Sequence, residues 1–229
     1  MTDSRQPTPI DALIERNADT WRAYCQHAFV RGLGAGTLPA EAFRYYLRQD
    51  YLFLVHFARA WGLAVYKSRT IGELRQGLDS LKAIVDLEMG LHIEYCAQWG
   101  ISEDELARLP EARQTMAYTR YVLDAGLRGD LVDLHVALAP CLIGYADLAR
   151  WLAAQDFTVR GEANPYEAWI AMYVSDEFQA AAQAERDWVN RQLAGATPAR
   201  MDELSRIFEE ATRLEIDFWQ MGLDAAAQA

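Results

Sequence analysis

Between residues 43 and 57, apolar side chains recur every three or four positions, which places them along one face of an α-helix. The stripe runs through Phe43, Leu47, Leu54 and Phe57, but its central position is occupied by Asp50. A carboxylate buried without a partner carries a large desolvation cost. The pattern therefore predicts a partner for Asp50, either in a functional site or in a satisfied hydrogen-bond network of the core.

Helical patterning extends over most of the 229 residues, and we predict an all-α protein in which residues 1–229 form one domain. Alternation of apolar and polar residues does not persist, and the sequence contains no Asn-Gly or Asp-Gly hairpin signal. Caps and breakers predict a helix from Thr8 towards residue 30, helices over 39–67, 71–99, 112–125 and 130–155, a capping box at Ser102, and helix starts at Asn164-Pro165 and Thr197-Pro198.

A second stripe passes through Leu134, Leu138, Cys141 and Tyr145, so the thiol and the phenol share one helix face. Pro140 removes a backbone hydrogen bond from this helix and should kink it beside the thiol. A cysteine on such a face is either a small core residue or a reactive group, and the kink favours space for a ligand.

A third stripe, near the C-terminus, consists of Phe208, Ala211, Glu215, Phe218 and Gly222. Its pattern is the same as the one around Asp50, because a carboxyl group again interrupts an apolar helix face. One thiol and two inward carboxyl groups from three helices could meet in a cavity between helices, as ligand sites of helical proteins do. Such a set suits a nucleophile, an anchor for an amino-bearing substrate and a general acid/base.

Charge and cysteine content limit the partners that we expect. The formal net charge of −11 and the absence of Lys/Arg clusters argue against nucleic-acid binding. The widely spaced Cys25, Cys96 and Cys141 are typical of free thiols in the cytoplasm. The longest uncharged apolar run, residues 136–146, is too short to cross a bilayer, so we expect no membrane partner.

The sequence resembles the TenA/thiaminase II family in four segments that follow one another in the same order: LPAEAFRYYLRQDYLFLVHFARA, LAPCLIGYADLA, NPYEAWIAMYVSDEF and LEIDFWQMG. The resemblance extends over about residues 10–223. It implies a haem-oxygenase-like helical bundle, a homotetramer, and hydrolysis of a small-molecule aminopyrimidine in thiamin salvage without a cofactor or metal. It leaves open whether thiamin, 4-amino-5-aminomethyl-2-methylpyrimidine or a formylated breakdown product is preferred.

The resemblance also assigns roles to individual residues. It implies that Cys141 is the nucleophile, that Asp50 binds the ring nitrogen and amino group of the pyrimidine, and that Glu215 handles protons at the leaving group. Further residues of the implied pocket are Tyr118, Tyr145 and Tyr173. One position departs from the common pattern, because Phe53 stands where the family often has a tyrosine; the aromatic wall remains, and Tyr145 is an alternative donor to the thiol.

Two other classes of function remain as alternatives. A metal-dependent oxidase on the same scaffold is suggested by Glu88 and His92, which are four residues apart on one helix, with His56 and His135 elsewhere. A Glu beside a His on a helix is also a common structural pair. A protein that binds a pyrimidine without converting it would need Asp50 and the aromatic lining but not the thiol.

Overall fold

A computed structural model describes residues 7–228, except for the side chain of Leu87, and the regular secondary structure of these residues is helical. The helices are α1 (Pro9–Arg16), α2 (Ala18–Cys25), α3 (Ala28–Ala35), α4 (Ala40–Lys67), α5 (Ile71–Ala83), α6 (Met89–Ala97), α7 (Glu103–Leu106), α8 (Arg113–Arg128), α9 (Leu131–Ala139), α10 (Tyr145–Ala153), α11 (Glu167–Val174), α12 (Asp176–Leu193) and α13 (Pro198–Ala227). The π-helical turns Ile84–Glu88 and Pro140–Gly144 join α5 to α6 and α9 to α10. The predicted all-α fold class is confirmed.

Local capping chemistry explains several of the helix starts. Thr8, Thr70, Ser102 and Asp130 each accept a hydrogen bond from the third helical residue, whose carboxylate in turn accepts one from the cap backbone. Thr197 caps α13 with Pro198 at the first helical position. The starts predicted at Thr8, Ser102 and Thr197 are therefore confirmed.

The prediction of one helix from Thr8 towards residue 30 is wrong, because this stretch forms α1, α2 and the start of α3. The chain leaves helical geometry at Asn17, whose φ is −114°, and again at Gln26, whose φ is −115°. The Asn17 side chain donates to the carbonyl oxygen of Leu13 at 2.8 Å and to Ser205 Oγ at 3.0 Å. This tie to α13 favours the break over a continuous helix.

The helix predicted to open at Asn164-Pro165 begins three residues later, at Glu167. Asn164 does not cap it, because its Oδ1 accepts from the N–H of Tyr166 at 2.9 Å, before the helix begins. Its amide group donates to the carbonyl oxygens of Leu33 at 3.0 Å and Val159 at 2.9 Å. Its side chain therefore fastens the segment before α11 to the end of α3. Ser175 then separates α11 from α12, because its extended backbone ends one helix while its hydroxyl oxygen caps the next.

The long helices α4 and α13 pack against each other, and both pack against α8 and α9. Trp219 of α13 packs against rings from α3 and α4, stacked on Phe29 at 5.0 Å and tilted against Tyr46 at 5.2 Å. Aromatic pairs at these separations add to the free energy gained by burying their area. The core around α4 and α13 is therefore built largely from aromatic rings.

Pro140 predicts an irregular helix, and the irregularity takes the form of the π turn Pro140–Gly144. The carbonyl oxygen of Pro140 accepts a hydrogen bond from Tyr24 Oη at 3.1 Å. A Cβ atom at Gly144 would overlap the Tyr24 ring, so glycine permits this close approach. The opening of the helix at residue 140 is thus stabilised by a side chain from α2.

The helical stretch Leu131–Ala153, which includes this π turn, is long and apolar enough to cross a membrane by length and composition. The uncharged run 136–146 underestimates its length, because the flanking turns are also mainly apolar. Of its most apolar window, 72% is buried inside the protein. This burial identifies the stretch as a core helix.

Candidate active site

Asp50 lies in the middle of α4 and is buried, as its position in the stripe predicts. Its Oδ2 atom lies 2.6 Å from Nε2 of His92 on α6. His92 Nδ1 lies 2.8 Å from the carbonyl oxygen of Glu88, which can only accept, so Nδ1 carries a proton. Burial lowers the pKa of His92, but its hydrogen bond to Asp50 and the charges of Asp50 and Glu88 raise it above the usual value. When His92 is protonated, it donates both N–H groups, one to Asp50 and one to the Glu88 carbonyl oxygen.

Glu88 ends the first π turn, and its Oε1 accepts a hydrogen bond from Tyr173 Oη at 3.1 Å. Burial raises the pKa of Glu88 to about 7, the charge of His92 opposes the rise, and the charge of Asp50 adds to it. Around neutral pH this carboxyl group can therefore exist in either protonation state.

Glu215 on α13 is 1% exposed, and its Oε1 accepts a hydrogen bond from Tyr118 Oη at 2.8 Å. Burial raises the pKa of Glu215 to about 8, although the Tyr118 hydrogen bond lowers it. At neutral pH Glu215 is therefore mainly a carboxylic acid, able to donate a proton. Phe53 stacks on the Tyr118 ring at 4.9 Å and covers this pair from α4.

Cys141 is a half-buried free thiol in the second π turn. Burial raises its pKa well above the usual value, and the negative charges of Glu215, Glu88 and Asp50 raise it further. The sulfur thus lies within the electrostatic influence of three acids carried by α4, the first π turn and α13. Without a ligand the thiol is protonated, and a cationic ligand among these carboxyl groups would favour the thiolate.

Tyr145 follows one turn after Cys141, and its hydroxyl oxygen lies 3.4 Å from that of Tyr46. The Tyr145 ring also packs against the Tyr173 ring at 4.9 Å. Burial and the charge of Asp50 raise the pKa of Tyr46 well above its usual value. The hydroxyls of Tyr145 and Tyr46 thus lie together, and the Tyr46 hydroxyl is close enough to Asp50 for the Asp50 charge to raise its pKa.

The structure brings the predicted site residues into one region, where hydrogen bonds, ring contacts or charge effects connect them: Asp50, Phe53, Tyr118, Cys141, Tyr145, Tyr173 and Glu215. Sequence reasoning did not assign Glu88, His92 and Tyr46 to this site. The four-residue spacing of Glu88 and His92 was the available signal, although it also suggested a metal site.

The arrangement of the histidines gives the metal interpretation no support. Both ring nitrogens of His92 are occupied, His56 lies 2.8 Å from Glu111, and His135 lies 2.6 Å from Glu185. Over residues 7–228, no three His, Cys, Asp or Glu side chains form a group that could hold a metal ion.

Comparison with known proteins identifies the family of this chain. A profile of the TENA/THI-4/PQQC family matches residues 15–225. The chain belongs to this family. The resemblance to TenA proteins predicted from the four sequence segments is therefore confirmed.

Three proteins similar to this chain align with it along nearly their whole length. An uncharacterised protein of Haemophilus influenzae is 43% identical over 95% of this chain and 100% of its own. An aminopyrimidine aminohydrolase of Halalkalibacterium halodurans is 34% identical over 92% of this chain and 93% of its own. The crystal structure of a TenA family transcription regulator from Silicibacter sp. is 44% identical, with a TM-score of 0.86 over 94% of this chain and 96% of that one.

Proposed function

We propose that this protein is an aminopyrimidine aminohydrolase of thiamin salvage that uses Cys141 as a covalent nucleophile. The observation that carries the proposal is the half-buried thiol under the influence of the carboxyl groups of Asp50, Glu88 and Glu215. Family membership and the aminopyrimidine aminohydrolase of H. halodurans support a hydrolase of thiamin metabolism. The proposed substrate is 4-amino-5-aminomethyl-2-methylpyrimidine, and thiamin is a second candidate.

Asp50 is proposed to bind the edge of the pyrimidine that carries a ring nitrogen and the amino group. Its carboxylate has enough acceptor positions to serve His92 and the substrate together. Charge-assisted hydrogen bonds from the protonated ring nitrogen and the amino group favour the ring's cationic form. That form accepts electrons more readily, which prepares the ring for attack by sulfur.

In the first step, the sulfur of Cys141 forms a bond to a ring carbon. The proton that leaves the thiol is the one that the ring nitrogen gains, so this single transfer produces both the thiolate and the cationic ring and needs no outside acid. The high pKa of the free thiol makes this coupling necessary, because little thiolate exists before the substrate binds. The hydroxyls of Tyr145 and Tyr46 offer a route for the proton towards Asp50.

In the second step, the bond between the exocyclic methylene carbon and its nitrogen breaks, and the electron pair leaves with the nitrogen. Glu215 holds a proton at neutral pH and gives it to this nitrogen, which departs as ammonia. Water then adds to the methylene carbon and returns a proton to Glu215. The carbon–sulfur bond breaks, the thiol recovers its proton from the ring, and hydroxymethylpyrimidine is released.

The Silicibacter relative is described as a transcription regulator. A net charge of −11 opposes direct contact with a nucleic-acid backbone, so in this chain a regulatory role would act through a bound pyrimidine. This second candidate function, regulation through pyrimidine binding, would use the same pocket but would not need the Cys141 thiol.

We further propose a single-domain, cytoplasmic homotetramer. The free thiols of Cys25, Cys96 and Cys141 suit a reducing compartment. Ile71 and Val85 are more than half exposed on the segment of α5 and the first π turn, so this surface could contribute to a subunit interface. Light scattering on the purified protein would measure the subunit number.

The test of the function is an assay of ammonia and hydroxymethylpyrimidine release from 4-amino-5-aminomethyl-2-methylpyrimidine by the wild-type protein. Thiamin and the N-formyl derivative of the same pyrimidine serve as further substrates. Release of both products would support the hydrolase. Tight binding of these compounds without turnover would support the regulatory candidate instead.

A further inference from the structure

A cavity of about 270 Å³ opens to the surface between α4, α5, α11 and α12. Its walls are mainly apolar and include Phe57, Trp61, Leu142, Met172 and Phe178, with Glu88 among the lining residues. We call this cavity the vestibule. It is distinct from the pyrimidine pocket, because Asp50, Cys141 and Glu215 do not line it.

The vestibule borders the candidate active site at four places. Glu88 lines the vestibule and also accepts the hydrogen bond from Tyr173. Leu142 follows Cys141 in the chain, and Phe57 stacks on Phe53 at 5.5 Å. Phe178 meets the Tyr173 ring edge to face at 4.8 Å. A group attached to a pyrimidine beside the sulfur could therefore extend into this space.

The chemistry of the vestibule suits a flat or compact cation. Aromatic rings from Phe57, Trp61 and Phe178 offer faces and edges to such a group. Glu88 lines the vestibule, its carboxyl group accepts a hydrogen bond from Tyr173, and its charge affects both Cys141 and His92. A positive group on the substrate would lie beside this carboxylate in a mainly apolar environment, where ionic hydrogen bonds are strong.

We propose that the vestibule receives the substituent on the methylene carbon of the pyrimidine, and that Glu88 is the specificity-determining residue that selects positively charged substituents. This inference rests on the proposed function and assigns it a substrate class. An ammonium group bound there passes one proton to the Glu88 carboxylate, which leaves a neutral amine to accept the proton of Glu215, and the departing ammonia takes the proton of Glu88 away as ammonium. The vestibule volume of about 270 Å³ does not exclude a substituent the size of a ring, because a cavity of about 150 Å³ in another protein holds a benzene ring.

The charge preference can be measured without catalysis, in Cys141→Ser protein. Calorimetry would compare two pyrimidines that differ only at the 5-position: the aminomethyl compound, which carries an ammonium group, and the neutral hydroxymethyl compound. We expect Glu88→Gln to reduce the ratio of the two affinities by roughly tenfold or more, the range for a hydrogen bond to a charged group. The control is Glu94→Gln, which removes the same charge from an exposed position of α6 and should leave the ratio unchanged.

The location of the substituent is tested by Ala181→Phe, because Ala181 lines the vestibule from α12 and is exposed. The added ring should lower the affinity for thiamin relative to that for the hydroxymethyl compound by roughly tenfold, through steric exclusion of the larger substituent.

The outcomes separate the two proposals. A charge preference that is the same with Glu or Gln at position 88 would overturn the role of Glu88 and leave the hydrolase intact. If Ala181→Phe does not change the ratio of the affinities for thiamin and for the hydroxymethyl compound, the vestibule is not the site of the substituent. A preference that depends on Glu88, together with no turnover by the wild type, would support the inference and overturn only the hydrolase. Binding of neither pyrimidine would overturn both.

Discussion

Asp50 and His92 are 42 residues apart in the chain, yet Oδ2 of one lies 2.6 Å from Nε2 of the other inside the protein. His92 is fixed from its other side by the carbonyl oxygen of Glu88 at 2.8 Å. The His92 ring is therefore fixed by the Glu88 carbonyl oxygen and in turn fixes the orientation of the Asp50 carboxylate. Such a second layer of contacts positions a binding group before the ligand arrives.

Replacement of His92 by Leu should weaken pyrimidine binding and lower stability by about 3 kcal/mol, because it leaves a buried carboxylate without its partner. His135→Leu is the matched control, since His135 forms a second buried pair with Glu185 at 2.6 Å. Urea unfolding should show similar losses in both variants. Calorimetry should show weaker pyrimidine binding only in His92→Leu; equal effects on binding would mean that His92 acts only through stability.

Replacement of Cys141 by Ser should reduce turnover by about a thousandfold or more while leaving pyrimidine affinity nearly intact, because a hydroxyl is a far weaker nucleophile. Cys96→Ala, which removes a buried thiol of α6, should retain activity. Steady-state kinetics would measure both variants. Substantial turnover by Cys141→Ser would remove the thiol from the mechanism.

The buried acid Glu215 should make stability depend on pH. Its pKa is raised from 4.5 to about 8 in the folded state, so between these values the unfolded chain loses a proton that the folded chain keeps. The contribution of Glu215 to the free energy of unfolding is therefore fully present below pH 4.5 and is lost as the pH rises towards 8. Glu215→Gln removes this loss, and its melting temperature relative to wild type should be higher at pH 8 than at pH 5.

The control for this experiment is Glu210→Gln, an exposed position of the same helix. Its melting temperature relative to wild type should change little between pH 5 and pH 8. A Glu215→Gln difference that stays constant over this range would show that the folded state does not raise the pKa of Glu215.

Replacement of Tyr118 by Phe should shift the fall of kcat at high pH, the high-pH limb of the profile, to a higher pH. The Tyr118 hydroxyl donates to Glu215 at 2.8 Å and lowers the pKa of that carboxyl group. Without this donor the pKa rises further above its value of about 8, so Glu215 remains protonated at higher pH. Tyr121→Phe, which alters a hydroxyl 3.5 Å from the Ile207 carbonyl oxygen, should leave the limb in place. If the high-pH limb stays at the same pH in Tyr118→Phe, a group other than Glu215 controls it.

Local sequence predicted the helices best where their starts are encoded in a few neighbouring residues. The boxes at Thr8 and Ser102 act over three residues, so they can be recognised without knowledge of the fold. The breaks at Asn17 and Asn164 depend on hydrogen bonds to Ser205 and Leu33, far away in the chain. Such ties override helical periodicity and could not be predicted from a local pattern.

For the site, the apolar stripes predicted correctly that Asp50 and Glu215 are buried. They could not identify the partners, because His92 and Tyr118 lie on other helices. Glu88 and His92 were noticed for their spacing, but the interpretation as metal ligands required free ring nitrogens. The tertiary structure uses both nitrogens in hydrogen bonds, which a sequence does not reveal.

The two π turns each place a reactive group, Glu88 in one and Cys141 in the other. A π turn contains one more residue than the α-helical turn it replaces, so the extra residue is absorbed within the turn and the helix on either side keeps nearly the same rotational phase. Deleting one residue from Pro140–Gly144 would restore an ordinary helix in which Leu138 and Tyr145 still face the same core. The widened turn that carries Cys141 would be lost. In this protein the length of these two turns, counted in single residues, is therefore as important as their composition.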